Sequence, residues 1–199
     1  MHYDFLEIGT SDFETLIENA TPEQRGLSIE PVKSYLNKLP NKPNVTKLPF
    51  AVSPTGEYKS LDLYMVPEQV IADNNLPQWL KGCNSIDNYH PQHELLNIKH
   101  LVVKETVISV PVSYLFTAFQ IDGIGLLKID VEGNDALIML QFWEYIVNHG
   151  KYRHWPKRCE FESNNLCNQI DVEKVIQRFT GIGYILVSTG HDTILEMRK

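Results

Sequence analysis

The stretch LLKIDVEGND, Leu126 to Asp135, sets an apolar run directly against two acids, a glycine and a third acid. Ile129 and Val131 favour a buried β-strand, whereas Asp130 and Glu132 need water or a partner, because an unpaired carboxylate is costly to bury. Both demands are met if the apolar half is sheet core and the acids mark the C-terminal edge of the strand, where α/β folds carry their ligand loops. Residues two apart on a strand share a face, so Asp130 and Glu132 are expected on a common side, with Gly133 letting the chain leave the strand.

Outward from this strand the pattern alternates. YDFLEI, Tyr3 to Ile8, reads as a strand ending at Gly9, and SDFETLIENA follows with Phe13, Leu16 and Ile17 at helical spacing. Ser11 and Glu14 have capping-box spacing, so a helix is expected right behind the glycine turn. GLSIE, Gly26 to Glu30, reads as the second strand, and Pro31 as the first residue of the helix PVKSYLNKL. KLPFAVSPTGEYKSLDLYMV holds one further sheet strand and then an additional strand or hairpin, and LPQWLKGCNSIDNYHPQHELL a loop region with short helical pieces. TVISVPVSYLFTAF gives a strand and a short helix. DALIMLQFWEYIVNH gives a helix with Ala136, Leu140, Trp143 and Val147 on one face. KRCEFES, DVEKVIQRF, GYILVST and TILEMRK supply a strand, a helix and a closing pair of strands. This alternation predicts a single α/β domain over residues 1–199 with a mostly parallel sheet.

The bulk properties exclude several classes. The 199 residues are 43% apolar and 22% charged, an ordinary globular composition for one domain. A formal charge of −7 offers phosphate backbones no long-range attraction, so no nucleic-acid partner is expected. The one basic cluster, KYRHWPKR from Lys151 to Arg158, reads as a solvated loop, the alternative being a patch for an anionic substrate or partner. Cys83, Cys159 and Cys167 form no metal or disulfide spacing and fit reduced thiols in the cytoplasm. No apolar run reaches the roughly 18 residues of a membrane span, so no membrane association is expected.

The turn residues suggest a ligand. Gly9 lies where the first strand turns, a point at which a missing side chain lets backbone approach a ligand, and Glu7 just before it is suited to an amine or hydroxyl. Glu30 ends the second strand, 21 residues after Gly9, where an acid can accept hydrogen bonds from both ribose hydroxyls. A structural reading, an acid favoured by the dipole of the helix behind it, competes. GTSDFE has no second or third glycine, which disfavours a dinucleotide and favours a nucleoside without pyrophosphate, such as S-adenosylmethionine.

FLEIGTSDF, LSIEP, FAVSPTGE, GCNSIDNYH, VPVSYLF, LLKIDVEGND and CEFESN, taken together, resemble in order and spacing the FkbM-like S-adenosylmethionine-dependent methyltransferases, from Phe5 to about Asp192. The resemblance implies a Rossmann-like class I methyltransferase: a mostly parallel seven-stranded sheet with the last strand antiparallel, and helices on both faces. It implies O-methylation of a hydroxyl on a sugar or other small molecule, hence a small-molecule or glycan acceptor. Glu7 and Gly9 match the first cofactor motif, with Ser11 in the same loop. Glu30 matches the ribose-binding acid, Ala51 to Ser53 (Val52 and Ser53 among them) the segment near the adenine, and Ser85 a loop serine beside cofactor or substrate. Thr10 to Phe13 depart from the family's glycine-bearing first loop, and with the sequence read from its first strand the cofactor site is expected to be more open or closed by a partner.

Methyl transfer requires an acceptor oxygen held in line and relieved of its proton. Asp130 is the first candidate for that work and also a cofactor contact, Glu132 the second, and His90 and His93 alternatives with pKa values nearer neutrality. The structural alternative has both acids shaping the start of the next helix around Asn134 or Asp135. Lys128 is a candidate partner for Asp130. Asp130, Glu132 and a loop histidine have no recognised metal spacing, and no metal is expected. Glu160 and Glu162 repeat the pattern of acids two apart and are either pocket-lining or solvated. Trp79, Trp143 and Trp155 read as packing residues. A non-catalytic module binding a nucleoside or protein partner is the rival reading, and a nicotinamide oxidoreductase is weakened by the missing glycines.

Overall fold

The computed structural model describes residues 1–86, 88–149 and 151–198. β1 (His2–Ile8) leads to α1 (Leu16–Asn19), β2 (Gly26–Ile29), α2 (Lys33–Lys38) and β3 (Val45–Leu48). β4 (Ala51–Val52), β5 (Lys59–Met65), α3 (Glu68–Asp73), β6 (Ser85–Ile86), α4 (Pro91–Leu95) and β7 (Val103–Val110) come next. The remaining elements are α5 (Val112–Ala118), β8 (Gly123–Ile129), α6 (Asp135–His149), β9 (Arg158–Glu162), α7 (Gln169–Gly181), β10 (Tyr184–Ser188) and β11 (Asp192–Met197).

Seven strands form the main sheet in the order β10-β11-β9-β8-β1-β2-β3. β3, β2, β1, β8 and β9 run parallel, and β11 runs antiparallel to both its neighbours, β9 and β10. Alternation along β1 and β8 explains why helices cover both faces. Leu6, Ile8, Leu127 and Ile129 join one core with α5, α6 and α7, whereas Phe5 and Leu126 pack with Ile17 of α1 and Leu36 of α2 on the other face. Each of these side chains except the partly exposed Leu126 is buried and contributes roughly 1.5 to 3 kcal/mol of burial free energy. A second sheet, β4-β7-β5-β6, gathers the strand-prone segments between β3 and α5. The sequence suggested an added strand or hairpin there but not a separate sheet, because β7 is separated in sequence from its antiparallel partner β5.

Three local expectations are corrected. Helix α1 starts at Leu16, and its capping box is Thr15 with Glu18, not Ser11 with Glu14. The same spacing occurs twice in succession, and Ser11 and Glu14 have φ of 53° and 54°, a left-handed geometry no helix start tolerates. Pro31 precedes its helix rather than opening it, with Val32 in extended conformation at the N-cap. On α6 the buried stripe runs through Ala136, Ile138, Met139, Phe142 and Ile146, while Val147 is exposed. The helix packs against α5 and α7 as well as the sheet, which turns its apolar face away from the expected one.

Candidate functional site

Parallel register builds the site. Ile8 pairs with Ile29 and with Ile129, and Ile129 pairs with Phe161. The residues one step beyond, Glu30, Gly9, Asp130 and Glu162, therefore lie in that spatial order along the C-terminal edge of β2, β1, β8 and β9. Gly9 sits at φ 80°, and a Cβ there would come within 1.8 Å of the Asp130 carbonyl oxygen, so only glycine lets the two turns meet.

A cavity opens at this edge, lined by both apolar and polar residues. Ile8, Ile29, Phe50, Val52 and Ile138 give it apolar walls, and Ser11, Glu30, Asp130 and Glu132 give it polar points. Glu30 is buried, its Oε1 accepting the Val32 N–H at 2.7 Å and its Oε2 the Ser11 N–H at 2.9 Å. Burial pushes its carboxyl up to about 7 against the pull of those two donors. The buried Ser11 Oγ has no hydrogen-bond partner among the described residues.

A second, more polar cavity shares Gly9, Ser11, Gly82, Asp130 and Glu132 with the first and adds Trp79, His90, Glu162 and Asn164. The His90 Nδ1 accepts the Gln92 N–H at 3.2 Å, so the neutral ring carries its proton on Nε2, which lies 3.1 Å from Glu132 Oε2. His93 is fully buried edge-on against His90, and burial first and then His90 lower its pKa, keeping it neutral. The Asp130 carboxyl faces both cavities with no hydrogen bond or ion pair to any described residue. Asp130 is exposed to solvent through these cavities, and the partial loss of hydration against their walls, reinforced by Glu132, raises its carboxyl to about 6.

Asp130 and Glu132 reach common cavities, though not by strand alternation. The strand ends at Ile129, Glu132 already has φ 59°, and Gly133 follows at 107°. Asp135 holds this turn, its two oxygens accepting the N–H groups of Val131 and Gly133 at 3.1 Å each. Burial pushes the Asp135 carboxyl up to about 8. The structural role expected near Asn134 or Asp135 thus falls to Asp135, leaving Asp130 and Glu132 open to the cavities.

Of the other sequence candidates, Lys128 pairs with Glu7 at 3.3 Å rather than with Asp130. Glu7 is fully buried and accepts the first N–H of α1, from Leu16, at 3.0 and 3.1 Å, and it lines neither cavity. Ser53 is also buried outside the cavities, its Oγ accepting the Thr55 and Glu57 N–H groups of a turn. Ser85 sits on β6 between two cavity-lining residues, Asn84 and Ile86, and lines neither cavity itself. Strand alternation one residue to either side of Ser85 was the signal for them. Glu160 pairs with Arg158 at 3.4 Å. The basic cluster is matched by acids, Arg153 and His154 to Asp122 and Arg158 to Glu196. Trp79 lines the second cavity, half exposed, while Trp143 and Trp155 pack against the core. Among the described residues no group of three or more His, Cys, Asp or Glu side chains has metal-holding geometry, and no helix is long and apolar enough to cross a membrane.

The family model described as the methyltransferase FkbM domain matches residues 6–185. Comparisons with curated proteins and with solved structures return no match. With nine-tenths of its length matched, the chain belongs to the FkbM methyltransferase family.

Proposed function

We propose that this FkbM-family methyltransferase uses S-adenosylmethionine, bound in the first cavity, to methylate a hydroxyl of a sugar or other small molecule. The carrying observation is the cavity edge formed by Gly9, Glu30 and Asp130, with apolar walls beside a buried carboxylate. The sheet order, with β11 reversed, supports a Rossmann-like class I fold. The cavity residues fit a nucleoside: each Glu30 oxygen takes one N–H and retains a lone pair for a ribose hydroxyl, and the Ser11 Oγ, without a partner among the described residues, is a further polar point. Val52, Phe50 and Ile138 offer apolar contact to a base.

The cofactor, when bound, supplies a methyl group on a sulfonium, an already activated carbon. The chain has to hold the acceptor oxygen and take its proton. Asp130, raised to about 6 and without a hydrogen-bond or ion-pair partner among the described residues, is matched to a proton acceptor at neutral pH. Glu132, hydrogen-bonded to His90, orients the acceptor or moves the proton onward. Calorimetric titration with S-adenosylmethionine and S-adenosylhomocysteine tests this reading: binding of both is expected. Binding of neither would leave the non-catalytic module as the better account.

A further inference from the structure

We propose that the second cavity holds the methyl acceptor and that this acceptor carries a protonated amine, seated against Glu162. The inference rests on the proposed function for the role of the neighbouring cavity. Its own basis is an unpartnered atom: Glu162 is 6% exposed, its Oε1 accepts the Asn164 amide at 2.7 Å, and its buried Oε2 has no hydrogen-bond partner among the described residues. A native carboxylate oxygen left unsatisfied beside a cavity marks a position for a donor that the chain itself does not supply.

The charge around it selects the donor. Asp130, Glu132 and Glu162 all line this cavity, and Asp135 and Asp192 add to the negative field at Glu162. The cations nearby have other partners or meet Glu162 only at the exposed rim of the cavity. Lys128 is paired with Glu7 and bonds the Glu14 carbonyl, and His90 has its Nδ1 on the Gln92 N–H. His191 is 3.8 Å from Glu162 Oε1 with its side chain 74% exposed to water. A phosphorylated or carboxylated acceptor would add an anion beside three acidic groups, and a neutral polyol would leave the cost of ionising the buried Glu162 among them in place. An ammonium relieves it through charge-assisted hydrogen bonds. The exposed ring of Trp79 in the cavity wall adds a face that attracts a cation.

The test follows the Glu162 carboxyl in protein labelled with ¹³C at its side-chain carboxyls, saturated with S-adenosylhomocysteine. Its signal is identified by its loss in Glu162→Gln and, should that variant not fold, by its displacement in Glu162→Asp. Ethanolamine, ethylene glycol and glycolate form a matched cation, neutral and anion series, added at equal ionic strength. Ethanolamine is expected to lower the Glu162 titration midpoint by about one pH unit, a tenfold fall in proton affinity, with ethylene glycol and glycolate producing no such fall. An unmoved midpoint with ethanolamine, or an equal fall with ethylene glycol, overturns the proposal. If the homocysteine analogue itself does not bind, the cofactor reading fails separately, and the same series on the ligand-free protein still decides the acceptor charge.

Discussion

Gly9→Ala is the sharpest test of how the site is built. Gly9 has φ 80°, where an L-residue pays roughly 1 to 2 kcal/mol in backbone strain. The added methyl would lie 1.8 Å from the Asp130 carbonyl oxygen, 2.7 Å from its carbon and 3.0 Å from Val131 Cγ1. Relief requires β1 and β8 to separate at their C-terminal ends, and overpacking of this kind costs about 1 to 3 kcal/mol. The sum, roughly 2 to 5 kcal/mol, is a large share of the 5 to 15 kcal/mol typical of a domain. Urea unfolding should therefore show a markedly lower midpoint, and S-adenosylhomocysteine affinity should fall as Asp130 moves. Gly181→Ala is the control: it lies at the end of α7 with nothing within 4 Å of its added Cβ, and alanine there is expected to be neutral or slightly stabilising. If Gly9→Ala unfolds within about 0.5 kcal/mol of the parent and binds as well, the contact does not hold the edge together, and the reasoning fails.

Glu30→Ala should weaken S-adenosylhomocysteine binding by roughly 1.5 to 3 kcal/mol, the worth of charge-assisted hydrogen bonds to a hydroxyl pair, read by calorimetry; unchanged affinity would put the ribose elsewhere. Asp130→Asn should lower methyl transfer by about 100-fold or more while leaving cofactor affinity within a few-fold, and equal loss of both in paired assays would make Asp130 a cofactor or folding residue instead. Thermal unfolding of the ligand-free protein should give a higher midpoint near pH 5 than near pH 8. Glu30, Asp135 and Glu162 are raised to about 7, 8 and 8, so the folded state binds more protons than the unfolded one over that range, and stability is lost as pH rises through those values. A flat or rising profile would mean that these carboxyls are better solvated than their burial implies.

The main sheet was legible because hydrophobic runs of strand length recur between amphipathic segments, a signal carried locally by stretches such as Leu126 to Ile129. Glu30, Gly9 and Asp130 were legible for the same reason: each is the first residue past a strand, and parallel register converts equal strand ends into a common edge. What could not be read depends on contacts distant in sequence. Glu7 has its carboxyl taken by Leu16 and Lys128, and Lys128 lies 121 residues away. Ser53 closes a turn whose shape SPTGE alone leaves open. The second sheet depends on β5 finding β7 across nearly forty intervening residues, and no periodicity records a pairing of that range.

The division between two cavities orders the acids by role. Glu30 lines only the apolar cavity of this pair and Glu162 only the acidic one, whereas Asp130 and Glu132 line both. If donor and acceptor occupy separate cavities, the reacting atoms can meet only at the shared wall, so chemistry falls to Asp130 and Glu132 and recognition to Glu30 and Glu162. Between the two wall residues, hydrogen bonding decides. Glu132 is hydrogen-bonded to His90, whose other nitrogen is fixed by the Gln92 N–H, a geometry that holds an orientation. Asp130 has no hydrogen-bond or ion-pair partner among the described residues and a proton affinity raised toward neutrality, the condition under which a carboxylate can take a proton and release it again. The three acids of LLKIDVEGND thus differ from one another: Asp135 fixes the turn, Glu132 is held by His90, and Asp130 has no partner among the described residues.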